Sequence, residues 1–277
     1  MDHKKFLIVL FLSFLIISCN NSTEPEPTIN SPINNNFYPV ALNHEWEYST
    51  TDKIEYYDTL GNIKNTEVLN LGNTIVRIEA LKDNLGNSYK NLIRFESFKV
   101  TQPNQKDKTW FEKKDDGLYI VAFQHVSTSQ TTIRKINRGG KYMNMDVLKR
   151  INLFLDFNLY NKTRNNLILI WGRTRKVLNY PIEVGNYWND YNIPFYKNRS
   201  VETKEKININ GNIYTVYKIG AFGDDIDFEL NDYISIKYGL VMREVLADSV
   251  AILAPNSDDI LGFAKMRRIS KLVRRNF

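Results

Sequence analysis

The chain has 277 residues, a formal net charge of +6 at pH 7 and a single cysteine. One cysteine excludes a disulfide framework within the chain, so a folded body of this length has to be held by a packed core. The 16 tyrosines and 15 phenylalanines agree with strand-rich packing.

The first residues have the pattern of a signal peptide. Lys4 and Lys5 form a positive start, and the apolar run from Phe6 to Ile17 is shorter than a membrane-spanning helix requires. We predict that residues 1–18 form a cleaved lipoprotein signal peptide. The sequence Ile16-Ile17-Ser18-Cys19 resembles the lipobox of bacterial lipoproteins, in which the cysteine receives a diacylglyceryl group.

The lipobox resemblance implies that Cys19 is the lipid attachment site and that the mature chain is anchored to membrane lipid. Each buried methylene contributes about 0.8 kcal/mol, so two or more acyl chains give stable anchoring. No later apolar run reaches about 18 residues, which excludes a membrane-spanning helix after the signal peptide. Asn20 stands where an aspartate is associated with inner-membrane retention, which favours the outer membrane. The alternative is a plain secretory signal followed by an unmodified cysteine.

Residues 19–37 are predicted to be the lipidated cysteine and a disordered tether. Asparagine, serine, threonine, proline and glutamate dominate the segment, and almost no large apolar side chain occurs before Phe37. A flexible segment of about 17 residues has an end-to-end distance of roughly 20 to 25 Å, so the folded body can stand off the bilayer.

A basic cluster lies in the last part of the chain: Lys265, Arg267, Arg268, Lys271, Arg274 and Arg275. Such a cluster suits anionic lipid headgroups or another polyanion, at about 1 kcal/mol per basic residue near an acidic surface. The alternative is a solvated strand, which the interleaved Met266, Ile269, Leu272 and Val273 favour because they resemble its packed face. An exported, tethered chain is not expected to bind nucleic acid.

An internal repeat divides the rest of the chain. Tyr38-Pro39-Val40 and Trp46 are matched by Tyr180-Pro181-Ile182 and Trp188, both at an offset of 142 residues (180 − 38 and 188 − 46). Two shorter echoes have smaller offsets: Gly86-Asn87-Ser88-Tyr89 with Gly211-Asn212-Ile213-Tyr214, and Gly117-Leu118 with Gly239-Leu240. The repeat predicts two related β-rich lobes, residues 38–178 and 179–277.

Alternating apolar and polar side chains predict antiparallel strands in both lobes. Acidic and apolar residues alternate from Asp225 to Leu230, and the polar pair Asn231-Asp232 is interpreted as the bend before the next strand. Asn210-Gly211 predicts a two-residue hairpin turn, because Asn-Gly readily adopts positive φ angles. Similar turns are predicted at 60–62 and 84–87.

The segment from Val147 to Tyr160 fits two structures. Apolar residues occupy every second position from Ile151 to Leu159, which predicts a strand. Residues 161–166 would then be the turn of a hairpin whose second strand contains Leu167 to Trp171. A helix with Asp146 as its cap is the alternative.

Several motifs together resemble a large group of uncharacterised bacterial envelope lipoproteins. They are Tyr38-Pro39-Val40 with Trp46-Glu47-Tyr48, Tyr180 to Trp188, Gly211 with Tyr217-Lys218-Ile219, and Tyr238 to Glu244. The resemblance implies curved antiparallel sheets akin to the half-barrel of lipoprotein carriers, and it supplies no catalytic residue. The first unit departs from the pattern, with Asn43-His44-Glu45 where the second has Gly185-Asn186-Tyr187.

The sequence contains no familiar motif for catalysis or metal binding. His44 and His125 are the two histidines after the signal peptide, and neither has a zinc-site spacing. Without a nucleophile elbow, a phosphate-binding loop or a dinucleotide fingerprint, we predict no catalytic residue, no cofactor and no metal. The acidic stretch 224–232 could form a calcium site, but a solvated strand face is preferred because the central glycine of an EF-hand loop is missing.

Trp46 and Trp188 are the candidate ligand-binding residues. Each follows a Tyr-Pro pair by eight residues and could line a pocket. The preferred alternative is that both are large core side chains of a curved sheet.

Three classes of function remain. The preferred one is a non-enzymatic, membrane-anchored envelope lipoprotein that binds an apolar or amphiphilic ligand or a protein partner. The second is a hydrolase of envelope glycans or lipids in which Glu45 and Glu47 pair with Asp190. The third is a purely structural assembly protein. A filled interior would favour the third class, an open apolar cleft the first, and facing carboxylates the second.

Overall fold

The described part of the chain consists of strands and turns. The computed structural model describes residues 38–124, 143–144, 168–191, 197–223, 228–253 and 259–277. These residues belong to one unit, 35–277, and contain no helix. The prediction of a mainly antiparallel β fold is confirmed.

The described residues form thirteen strands of one sheet. The strands are β1 (Glu45–Tyr57), β2 (Ile63–Leu85), β3 (Tyr89–Lys99), β4 (Asp107–Lys114), β5 (Gly117–Gln124), β6 (Met143–Asn144), β7 (Ile168–Asn179), β8 (Tyr187–Tyr191), β9 (Lys197–Ile209), β10 (Asn212–Gly223), β11 (Phe228–Ser235), β12 (Gly239–Leu253) and β13 (Ile260–Arg275). Their order is β7-β5-β4-β3-β2-β1-β13-β12-β11-β10-β9-β8. The two-residue strand β6 pairs with β12 in parallel, and the strands in that order pair antiparallel.

The chain runs through the sheet as two consecutive meanders. Strands β1, β2, β3, β4, β5 and β7 follow one another as neighbours, and so do β8 to β13. The first strand then pairs with the last, from Trp46 opposite Arg275 to Tyr57 opposite Phe263. At the other junction, here called the β7–β8 seam, side chains join the two strands, so the sheet is nearly closed and barrel-like. The predicted division into lobes at residues 178 and 179 falls at the end of β7 and stays a prediction.

One face of the sheet encloses the core. In β1, Trp46, Tyr48, Asp52 and Ile54 are buried, whereas the residues between them are half-buried or exposed. The largest cluster of buried side chains comes from both meanders and includes Trp46 and Tyr48. A second cluster, with Ile54 and Met266, lies further along the same strands.

The packed face predicted for the basic segment differs from the buried face of β13. Met266 and Leu272 are buried as predicted, but Ile269 lies on the outer face and Val273 is exposed. Because a strand alternates with a period of two, the buried face between Met266 and Leu272 includes the charged Arg268.

The turns agree with their local sequence. Strand β9 ends at Ile209 and β10 begins at Asn212, with φ angles of 53° at Asn210 and 87° at Gly211, so the Asn-Gly hairpin is confirmed. The turns between β1 and β2 and between β2 and β3 also fall at the predicted segments.

The predicted bend at Asn231-Asp232 is wrong. Both residues lie within the strand, which continues to Ser235, and the turn follows at 236–238. Asp232 is buried and has the same parity as the buried Leu230 and Ile234. The prediction was wrong because the side chains that neutralise this carboxylate come from other strands.

Four predicted features lie outside the described residues: the segment 1–37 with Cys19, His125, the strand or helix from Val147 to Tyr160 with the turn after it, and residues 224–227 of the acidic stretch. Within the ranges that the structure describes, no helix is long and apolar enough to cross a membrane.

Candidate functional site in the sheet interior

Three aromatic side chains of the first meander hold the turn between β11 and β12. The Trp46 indole Nε1 donates to the Tyr238 carbonyl at 2.7 Å, and the Tyr48 hydroxyl donates to the Leu240 carbonyl at 2.7 Å. The Leu240 N–H in turn donates to the Tyr38 hydroxyl oxygen at 3.2 Å. Trp46 is fully buried in the core cluster, and its polar edge is satisfied by the backbone.

The second Tyr-Pro segment packs beside the first. The Tyr38 N–H donates to the Tyr180 hydroxyl oxygen at 3.1 Å, and the Tyr180 N–H donates to the Asp116 carbonyl at 2.9 Å. Trp188 on β8 is buried, and its indole Nε1 donates to the Lys176 carbonyl of β7 at 2.9 Å. Trp188 therefore joins the two sides of the β7–β8 seam.

Asp190 on β8 is the centre of a buried ion-pair chain. Arg175 of β7 donates to its two oxygens at 3.1 and 3.0 Å, across the seam. Arg199 Nε donates at 2.9 Å, and Lys197 Nζ lies 3.5 Å from the carboxylate. The Asp190 side chain is 0% exposed, so its charge is tolerated only because these cations surround it.

The chain of ion pairs continues to β11 and β12. Arg199 Nη1 donates to Asp232 Oδ2 at 3.0 Å, and Arg243 donates to both Asp232 oxygens at 2.5 and 2.7 Å. Arg243 and Asp232 are opposite each other in the strand register, which permits the two-point contact. The same arrangement recurs between β13 and β1, where Arg268 donates to Asp52 at 2.7 and 2.8 Å.

Burial raises the pKa of the interior tyrosines, because desolvation disfavours the phenolate. The pKa of Tyr180 rises to about 12, and those of Tyr38 and Tyr48 lie well above the usual value for tyrosine. These phenols stay protonated at neutral pH and act there as hydrogen-bonding groups.

A small cavity lies between the aromatic side chains around Tyr38 and the buried ion-pair chain. Its volume is about 40 Å³ for water-sized spheres, enough for a few water molecules. The polar side of its lining comprises Tyr38, Arg199, Asp232 and Arg243, and the apolar side comprises Phe95, Phe111, Leu118, Val177, Leu178, Ile234 and Leu240. The described interior is therefore largely filled by side chains.

The carboxylates proposed for acid/base chemistry are not brought together. Glu45 and Glu47 lie on the outer face of β1, where they pair with Arg77 at 2.5 Å and Arg274 at 2.9 Å. Asp190 lies on the inner face of the sheet within the ion-pair chain. A sheet wall separates the two sets of side chains.

Among the described residues, the histidine and the acids that were considered as metal ligands are engaged in other contacts. The His44 ring stacks on Phe277 with 4.0 Å between ring centroids, and desolvation lowers the pKa of His44. In the acidic stretch, Glu229 is exposed and Asp232 is held by arginines. Among the residues that the structure describes, no group of three or more His, Cys, Asp or Glu side chains is placed to hold a metal ion.

The ion-pair chain was missed in the sequence analysis. The sequence contains one indication of it: Asp232 lies at every-second-residue spacing between the apolar Leu230 and Ile234, on the buried face of β11. The polar pair Asn231-Asp232 nevertheless favours a bend at this point. Arg175 and Arg199 gave no comparable signal, since their partner Asp190 belongs to another strand in each case.

No protein-family model and no curated protein matches this chain. A solved structure of a provisionally assigned lipoprotein from Parabacteroides distasonis resembles it with a TM-score of 0.32 and 10% sequence identity, covering 86% of this chain and 97% of that one. A likeness of this strength carries no argument about function.

Proposed function

We propose that the chain is a lipid-anchored envelope protein with a non-enzymatic scaffolding or partner-binding role, performed by the outer surface of its sheet. The close packing of the interior among the described residues is the observation that carries this proposal. A cavity of about 40 Å³ is far below the roughly 300 to 1,000 Å³ of small-molecule sites. Around this cavity, the described residues contribute buried ion pairs and aromatic rings that fill the space between the strands.

Native mass spectrometry of the protein purified from its own membrane tests this role. The expected spectrum contains the mass of the chain with acyl groups on Cys19 and no further stoichiometric ligand. A retained small molecule that dissociates on activation would contradict the scaffolding role.

The second candidate is binding of an apolar or amphiphilic ligand in an enlarged form of the same cavity. The observation that favours it is the contrast within the lining, where Phe95, Phe111 and Leu178 face the guanidinium groups of Arg199 and Arg243. An amphiphile with an anionic headgroup suits this lining, because its apolar chain would contact the aromatic side and its headgroup the arginine side. The same mass spectrum would detect such a ligand.

The hydrolase alternative has less support. It requires Glu45 or Glu47 to face Asp190, and these side chains lie on opposite faces of the sheet. A screen of envelope glycans and lipids for turnover would test it directly, and any turnover lost on Glu45→Gln or Glu47→Gln would support it.

The anchor and the outer-membrane location are part of the proposal. Their support is the signal-peptide pattern of residues 1–18, the lipobox resemblance at Cys19, and Asn20 after it. Cys19→Ala should move the protein from the membrane fraction to the soluble fraction, because the thiol needed for acylation is lost. Unchanged membrane partition with a correctly cleaved signal peptide would contradict the anchor.

We also propose that the two meanders are duplicated units. In support, each Tyr-Pro segment precedes the first strand of a six-strand run, and Gly117 and Gly239 each begin the fifth strand of theirs. A Cβ added at Gly239, where φ is 76°, would lie 2.8 Å from the Tyr38 hydroxyl oxygen. The start of the first run therefore packs against the fifth strand of the second, and Tyr180 contacts Asp116 next to Gly117 in the reciprocal way.

A further inference from the structure

The outer faces of β2, β1, β13 and β12 form one continuous charged wall, here called the outer wall. Cross-strand register places its charged residues side by side, for example Lys53 opposite Arg267 and Glu55 opposite Lys265. The cationic residues of the outer wall are Lys53, Arg77, Lys265, Arg267, Lys271 and Arg274, and its acidic residues are Glu45, Glu47, Glu55, Glu244 and Asp248.

The cations of the outer wall lie above most of their carboxylate partners. The Arg274 side chain is 66% exposed and its partner Glu47 only 16%, with 2.9 Å between Nε and Oε2. The Arg267 side chain is 54% exposed and its partner Glu244 only 10%. Each of these pairs is a dipole with its positive end toward solvent, so the wall presents positive charge although its formal charges nearly balance.

Paired arginines at this wall keep the capacity to bind phosphate. A guanidinium has five N–H donors in a planar fork, and its contact with one carboxylate leaves donors directed to solvent. Lys271 is exposed between Arg267 and Arg274 on the same face of β13, which extends the cationic line along the strand. Such a line matches a surface of closely spaced phosphates more closely than it matches one small anion.

We propose that the outer wall docks on an anionic phospholipid surface. The wall begins in β1, the strand that follows Tyr38 and hence the predicted tether, so an anchored chain would have a lipid surface within reach of this face. The contact is peripheral, because the exposed charged side chains of Lys265, Arg267, Lys271 and Arg274 lie on this face of β13. It goes beyond the proposed anchor, since it does not require an acyl chain.

Vesicle binding of the mature chain carrying Cys19→Ala tests the proposal apart from lipidation. The probes are vesicles of phosphatidylcholine alone and vesicles with about 30% phosphatidylglycerol, measured by co-sedimentation at low and high salt. We expect binding to the anionic vesicles only, with loss at high salt. The combined variant Arg267→Gln, Lys271→Gln and Arg274→Gln should weaken binding by about tenfold or more, given roughly two- to fivefold per basic residue.

A matched control removes three exposed lysines from other strands: Lys90→Gln, Lys204→Gln and Lys206→Gln. This control should weaken binding by less than about twofold, although its net charge changes equally. A second variant, Glu47→Gln with Glu244→Gln, exposes the cations further and should strengthen binding, so the test does not depend on the folding of one variant. Equal weakening by both triple variants, absence of binding by the parent chain, or binding to soluble polyphosphate but not to vesicles would each overturn the proposal.

Discussion

The two meanders of the sheet join each other in two different ways. Strands β1 and β13 share a backbone ladder over most of their length, and the Asp52–Arg268 pair lies inside it. At the β7–β8 seam the described residues form no such ladder, and the junction depends on the Asp190 ion pairs and the Trp188 indole. A ladder spreads its stability over many hydrogen bonds, whereas the seam concentrates it in a few groups whose loss leaves buried charges.

Among the ion pairs, the largest effect is expected when the seam loses its carboxylate. Asp190→Ala leaves Arg175, Lys197 and Arg199 buried beside a missing partner, so the free energy of unfolding should fall by about 3 to 5 kcal/mol in urea titration. Hydrogen exchange should rise first in β7 and β8. Glu47→Ala, which breaks an outer-wall pair, is the control and should cost less than about 1 kcal/mol. Equal losses in the two variants would remove the contrast between the junctions.

The two tryptophans sharpen the comparison. Trp46→Ala and Trp188→Ala should each lower the free energy of unfolding by about 3 to 5 kcal/mol, because both side chains are buried. The backbone amides whose hydrogen exchange becomes faster should differ between the two variants. Trp46 hydrogen-bonds the turn at Tyr238, whereas Trp188 hydrogen-bonds Lys176 at the β7–β8 seam. Identical exchange patterns in the two variants would argue against the assignment of Trp188 to the seam.

The smallest expected effect is a pH dependence. The pKa of Tyr180 is raised to about 12 by burial, while an unfolded tyrosine titrates near 10, so its stabilising contribution is complete below about pH 10 and is lost as the pH rises toward 12. Between pH 9 and pH 11 this loss amounts to about 1 kcal/mol. Tyr180→Phe should reduce the fall in stability by that amount, measured as urea midpoints at both pH values. Tyr187→Phe, at an exposed tyrosine, should leave the slope unchanged, and an equal change in both variants would contradict the assignment.

Much of the local structure was predictable from residue chemistry. The Asn210-Gly211 hairpin follows from the positive φ angles that this pair accepts, and the turns at 60–62 and 84–87 follow from residues of the same kind. The failures share one cause. Arg268 and Asp232 carry full charges at buried positions, and composition alone assigns such residues to the surface or to bends.

The sequence by itself determined the antiparallel strands and several of their turns, because these depend on neighbours within a few residues. Only the tertiary structure decided which charges are buried, which junction has a backbone ladder and which has side chains alone. Arg268 and Asp52, for example, are 216 residues apart in the chain and become opposite neighbours only when β13 closes on β1. A buried charge is stable only beside its partner, so its position cannot be derived from local pattern and has to come from the closed sheet.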